Sequence, residues 1–219
     1  MVARSVFVAA ISCFILGFCV ASQAEGNRDG KWEASMQVFF TGKEKVSGAN
    51  QSSIDIDGDF GVGFGFAFNL TQAFSLGLDL SYYKPAYQAV FNTDEVGLVA
   101  VDHEMNVNTG MFSATWHAVP GPLTPFVRVG MGWAYIDSNI SDGPPVTGCW
   151  WDPWYGYICR NYYDTYDDTA FTYGAGVGFR VEFDRHFFAR GSINYTVVEA
   201  ENDFDPGVSS IRCELGWMF

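Results

Sequence analysis

Four groups of residues in this 219-residue chain have types and spacings that could do chemistry. Arg128, Arg180, Arg190 and Arg212 stand among small and apolar neighbours, as do Glu33, Asp79 and Glu214. Charges in such settings need partners, because an unpaired buried charge is costly. His103 lies between Asp102 and Glu104, the kind of set a hydrolytic or lipid-modifying site would use. Cys149 and Cys159 bracket Trp150, Trp151, Trp154, Tyr155 and Tyr157. Asp55-Ile56-Asp57-Gly58-Asp59 has the opening of a calcium loop, but Phe66 stands where the bidentate Glu belongs.

Each pattern depends on the elements that hold it. Leu numbers only 8, Lys 4 and Glu 9, a poor supply for helices. Trp 7, Tyr 11, Phe 20 and Gly 24 suit strands with tight turns. The net charge of −13 argues against nucleic acid and against a polybasic membrane-surface protein. The chain is too aromatic and apolar for disorder. Beyond residue 24, no apolar run approaches the ~20 positions of a transmembrane helix.

The beginning reads as a secretory leader. Arg4 precedes a nearly continuous apolar run from Val6 to Val20, and Ser22-Gln23-Ala24 offers small residues for cleavage. Residues 1–24 are therefore expected to be a cleaved signal peptide, and 25–31 a short periplasmic segment. Loss of Arg4, Cys13 and Cys19 takes the net charge from −13 to −14 and leaves three cysteines in an oxidising compartment.

The remainder, 32–219, reads as eight strands with period-two alternation. Trp32, Ala34, Met36, Val38 and Phe40 share one face. Phe60 to Phe68, Phe74 to Tyr82, Val127 to Tyr135, Phe171 to Phe179, Phe187 to Tyr195 and Ile211 to Phe219 repeat the pattern. Met105 to Trp116 is less regular, with Phe112, Ala114 and Trp116 assigned to its apolar face. The opposite faces carry mostly Gly, Ala, Ser and Asn with sparse charges. In a soluble sandwich the outer face would be charged and polar. A small-sided polar face suits the interior of a narrow barrel whose large apolar residues face lipid.

Connection lengths alternate as well. Leu70-Thr71-Gln72, His117 to Thr124 and Glu182 to His186 are short; residues 41–59, 84–104, 137–169 and 198–210 are long. That pattern predicts short periplasmic turns and long extracellular loops. Trp32, Phe68, Phe74, Trp116, Phe179, Phe187 and Trp217 would form the periplasmic aromatic girdle, with a second at the outer end. His117 and His186 fall on the periplasmic side, and only His103 on the outer side.

The run Gly121 to Tyr135, the hairpin Gly61 to Leu80 and the end Ile211-x-Cys213-x-Leu215-x-Trp217-x-Phe219 resemble the OmpA/OmpX-type, eight-stranded bacterial outer-membrane barrels, a porin-family class. The resemblance implies an all-β fold: an eight-stranded antiparallel up-and-down transmembrane β-barrel in the outer membrane. It implies outer-membrane lipid and lipopolysaccharide as surroundings. It also implies that the terminal strand, through Trp217 and Phe219, is read by the barrel-assembly machinery. OmpA proper carries a further peptidoglycan-binding domain, so a cell-wall tether is not implied here.

Within that frame Glu33, Asp79, Arg128, Arg180, Arg190, Arg212 and Glu214 point into the lumen. They form either a structural plug or an ion path, and an eight-stranded lumen favours the plug. A Cys149–Cys159 disulfide would stabilise its loop by on the order of 2–3 kcal/mol. The aromatics between them either bind at the surface or pack together and cap the barrel. Cys213 is an apolar filler on the lipid face. Asp55, Asp57 and Asp59, Asp137 and Asp142, and Asp164, Asp167 and Asp168 read as a solvated acidic rim, with weak Ca²⁺ binding or divalent bridging to lipopolysaccharide as the alternative. No cofactor, metal or catalytic site is expected, and the chain should be a monomer. The leading role is structural or adhesion-type binding through the outer loops. A narrow pore or apolar-ligand conduit is the first alternative, and an enzyme centred on His103 the second.

Overall fold

The computed structural model describes residues 28–47, 53–93, 97–141, 143–144, 146–162, 165–199 and 207–219. The expected signal peptide lies outside them. The strands are β1 (Trp32–Thr41), β2 (Glu44–Ser47), β3 (Ser53–Ile56), β4 (Phe60–Asn69), β5 (Phe74–Tyr83), β6 (Ala86–Thr93) and β7 (Gly97–Glu104). They continue as β8 (Asn106–His117), β9 (Leu123–Ser141), β10 (Val146–Asp152), β11 (Gly156–Tyr162), β12 (Thr165–Glu182), β13 (Phe187–Glu199) and β14 (Gly207–Met218).

Eight of these close into a barrel in the order β1-β14-β13-β12-β9-β8-β5-β4. Every neighbouring pair is antiparallel, and β1 closes on β14 from Glu33 opposite Met218 to Thr41 opposite Ser210. Closure leaves no unpaired edge in the wall. The less regular stretch is β8, paired with both β5 and β9 along its length.

The pleat sends alternate residues to opposite faces. Met36, Val38, Phe64, Phe112, Met131, Val177 and Leu215 are exposed outward, whereas Ser35, Gln37, Ser75, Thr115, Thr172 and Asn194 are buried inward. Aromatic residues meet at the turn end, where Trp32 and Phe68 lie 4.9 Å apart and Phe187 and Trp217 4.2 Å apart. At the other end Phe40 and Phe60 lie 5.0 Å apart.

Short turns at 70–73, 118–122 and 183–186 join the barrel strands at one end. The long connections at the other end differ from the sequence reading. They contain six further strands: β2, β3, β6 and β7 form a four-stranded sheet in the order β2-β3-β6-β7, and β10 and β11 form a hairpin. β9 and β12 also run on to 19 and 18 residues, well past the rest of the wall. In the four-stranded sheet two neighbouring loops meet through β3 and β6, with Ile54 opposite Ala89 and Ile56 opposite Tyr87.

Candidate functional site

The lumen has two layers. At the turn end lies a network of buried charges. Glu33 of β1 accepts from Arg180 Nη1 at 2.8 Å, from Asn69 Nδ2 at 2.8 Å and from Arg190 Nη2. Glu214 of β14 accepts from Arg128 Nη1 at 2.8 Å and lies 3.6 Å from Arg190 Nε. Asp79 of β5 accepts from Ser113 Oγ at 2.9 Å and lies 3.8 Å from Arg128 and 3.9 Å from Arg212. Strands on opposite sides of the wall are thus joined through the centre. Such a set is tolerable only where each charge meets its opposite.

Two members were not legible as lumen residues. Arg28, ahead of β1, is fully buried and places Nε 3.3 Å from Glu182. Glu182, read above as the start of a turn, is instead the last inward residue of β12 and accepts from Arg180 Nε at 2.8 Å. Its period-two relation to Arg180 was the available signal. Arg28 had none, because it precedes the alternating run. The set then holds five arginines and four carboxylates.

The inner face also departs from the small-residue pattern. Phe39, Phe126 and Phe188 are buried in the lumen. Arg180 stands 3.9 Å and Arg190 4.5 Å from the Phe188 ring centroid, so the rings receive guanidinium faces as well as filling space. Gly216 makes room for this: a Cβ there would lie 2.2 Å from the Phe188 ring. Gly61 does the same for Phe39, where a Cβ would lie 2.1 Å from the ring. His117, expected simply on the periplasmic side, ends β8 with its ring buried, 6.0 Å from the Phe126 ring.

Above the charges lies an apolar layer. Ala134 and Ala170 pack with Val198 and Ile136, and Val107 is buried at the same end. Phe39 meets Tyr83 edge to face at 5.7 Å. Between the charged residues lie cavities of about 10 and 30 Å³.

At the loop end, Cys149 and Cys159 face each other across β10 and β11 and are joined by a disulfide. The hairpin tip carries Trp151, Trp154, Tyr155 and Tyr157 at 72, 84, 82 and 70% exposure, so these rings do not cap the barrel. The Trp150 side chain lies outside the described residues. Cys213 faces outward on β14.

The acidic positions already have partners among the described residues. Asp57 pairs with Lys43 at 2.5 Å, Asp55 with Lys45 at 3.2 Å, and Asp59 accepts from the Lys84 backbone N–H at 2.9 Å. Asp167 accepts from Tyr135 Oη at 2.9 Å. Asp142 and Asp164 lie outside the described residues. His103 lies in β7 rather than in a loop, its ring 6.1 Å from that of Tyr87. Beside it Lys84 and Glu104 pair at 2.5 Å, and that hydrogen bond holds the Glu104 carboxyl below its ordinary range.

Residues 10–219 match the family described as outer membrane protein beta-barrel domain. No curated protein is significantly similar in sequence. Among solved structures, OprG from Pseudomonas aeruginosa is similar at a TM-score of 0.56 with 9% identity, over 90% of this chain and 99% of that one. Ail, the attachment invasion locus protein of Yersinia pestis, solved with the heparin analogue sucrose octasulfate, gives 0.50 and 10%, over 87% and 99%. Neisserial surface protein A gives 0.50 and 10%, over 87% and 96%. At these identities the likeness is one of fold.

Proposed function

Because the chain belongs to the outer membrane protein β-barrel domain family and resides in the outer membrane, we propose that its barrel is a closed anchor and that its extracellular strands bind partners at the cell surface. The disulfide-closed hairpin carries this reading. Two tryptophans and two tyrosines at its tip are at least 70% exposed. Large rings of that kind lose little side-chain entropy on contact and dominate binding energies. A covalent tie behind them limits what must be ordered when a partner arrives.

The lumen supports an anchor better than a pore. A charged layer joined across the axis and an apolar layer above it both oppose the passage of hydrated ions. The cleft beside His103 contains no serine, threonine or cysteine among its described lining residues, which supports binding over hydrolysis. Sulfated partners are disfavoured. Asp55, Asp57, Asp102, Glu104, Asp137, Asp167 and Asp168 outnumber Lys43, Lys45 and Lys84 in the described extracellular segments. The proposed surroundings are outer-membrane lipid and lipopolysaccharide. For assembly, the proposed reader is the barrel-assembly machinery, to which β14 and Phe219 present Trp217 and Phe219 outward.

The test is adhesion of laboratory Gram-negative cells displaying the chain to immobilised mucin and extracellular-matrix proteins. Trp154→Ala with Tyr157→Ala should reduce adhesion about tenfold at equal surface amount, in line with hot-spot truncations. Equal adhesion by cells with and without the protein would remove the proposal.

A further inference from the structure

A polar cleft of about 480 Å³ opens at the outer rim, where the end of β5 and β7 meet the facing ends of β8 and β9. Its size is that of a small-molecule site. Among its described lining residues, Tyr82 and His103 supply rings, and Asn106, Asn139, Asp102 and Glu104 supply planar polar groups. Lys84 completes it, paired to Glu104. Two carboxylates against one ammonium favour a neutral ligand over an anion.

The lining residues are linked to one another by hydrogen bonds. Asn139 has φ 54°, the only positive value outside glycine among the described residues. A residue in that region is held by its surroundings, and such outliers gather at binding sites. Its backbone N–H donates to Asp137 Oδ1 at 3.0 Å, and its Nδ2 donates to the Glu104 carbonyl at 2.8 Å. Its Oδ1 accepts from Asn106 Nδ2 at 3.3 Å, and Asn106 Oδ1 accepts from Tyr82 Oη at 3.1 Å. Gln88 Nε2 donates to Asp102 Oδ1 at 2.7 Å, and the Tyr87 ring steadies His103. Residues of β5, β6, β7, β8 and β9 are thus tied together around the cleft.

We infer that this cleft binds a neutral saccharide of one or two sugar units. A sugar offers adjacent hydroxyls, each donor and acceptor, beside a face of C–H groups. Amides and carboxylates match the hydroxyls, and a ring covers the apolar face. Fixed side chains reduce the ordering cost of the complex. The inference rests on the extracellular strands being the working surface, and it places a second site there, apart from the aromatic hairpin.

The experiment uses the refolded chain in phospholipid nanodiscs on an array of neutral and N-acetylated di- and trisaccharides, with sulfated and sialylated ones beside them. A second arm offers the core oligosaccharide of the producing strain's lipopolysaccharide. Asn139→Gly keeps the left-handed backbone at no steric cost and deletes the amide; Asn106→Leu removes the bridge to Tyr82. Neutral saccharides should be captured, and both variants should lose at least tenfold while Trp154→Ala retains capture. Heat-modifiable gel mobility checks folding, and Asn139→Gly decides alone if Asn106→Leu does not fold. Capture of neutral glycans in the first arm supports the inference; capture only in the second, whose core oligosaccharide carries carboxylates and phosphates, would point to an anion and overturn it. Silence in both arms, undiminished capture by both variants, or capture of sulfated glycans alone overturns the inference. A silent array with hairpin-dependent adhesion would remove this site and leave the hairpin reading standing.

Discussion

Arg180 and Arg190 sit directly opposite each other on β12 and β13, and both guanidiniums reach the single carboxylate of Glu33 on β1. Like charges facing across a strand pair destabilise it. Here the third strand offsets the repulsion, and Phe188 lies beneath both cations. The arrangement ties β12 and β13 to the strand that closes the barrel.

Glu33→Ala should therefore cost about 3–5 kcal/mol, the range for removing one partner of a buried ion pair. The check is the urea midpoint of refolded protein in detergent micelles. Arg190→Met in the Glu33→Ala background should recover part of the loss, because it removes one of the stranded cations. A strictly additive pair would show that the two residues are not coupled.

The two-layered lumen predicts no steady conductance for the wild-type chain in planar bilayers. Removing the Arg128–Glu214 pair with Arg128→Ser and Glu214→Ser, together with Phe39→Ala, should open a small channel. Those changes delete one charged link and the ring that meets Tyr83 in the upper layer. Large, stable wild-type channels would end the closed-anchor reading.

With Cys149 and Cys159 joined and Cys213 outside that disulfide, an unfolded chain lacking residues 1–24 should titrate one thiol. Cys149→Ser should raise that to two. The hairpin should lose on the order of 2–3 kcal/mol of local stability by the chain-entropy argument. The readout is faster proteolysis of the 146–162 segment while the barrel keeps its folded gel mobility.

Asp184 sits in the turn between β12 and β13 and accepts the Phe187 and His186 backbone N–H groups at 2.6 and 2.7 Å. These bonds hold its carboxyl below the ordinary 3.8. A depressed pKa contributes stability that is present above the ordinary value and is lost as pH falls through the folded value. Wild type should thus exceed Asp184→Ala in urea midpoint at pH 7, and the gap should close in acid. A gap that stays constant down to pH 2 would falsify this.

Much of the wall was legible because a pleated strand has a side-chain period of two. From Trp32 to Phe40, and again from Val127 to Tyr135, alternation alone named the face of each residue. The turn positions followed from Leu70-Thr71-Gln72 and Pro120-Gly121-Pro122. The outer strands β2, β3, β6, β7, β10 and β11 were not legible. They are short, and the pairing that makes one sheet of four, β3 with β6, joins different loops. Such pairing leaves no mark within either segment.

The sequence by itself determined the inverted barrel. Large apolar residues on one face and small ones on the other, repeated eight times with alternating connections, admit few other folds. Only the tertiary structure decided who meets whom inside it. Arg28 lies 154 positions from Glu182 in sequence and 3.3 Å from it in space, and Glu33 lies 147 from Arg180. Alternation says that a side chain points inward, but closure and register set the height and angle at which it arrives. The same holds for Asn139, whose left-handed backbone is held by Asn106 and Glu104 from β8 and β7. Period is a local property of the chain, whereas a site is made by distant segments brought to one place.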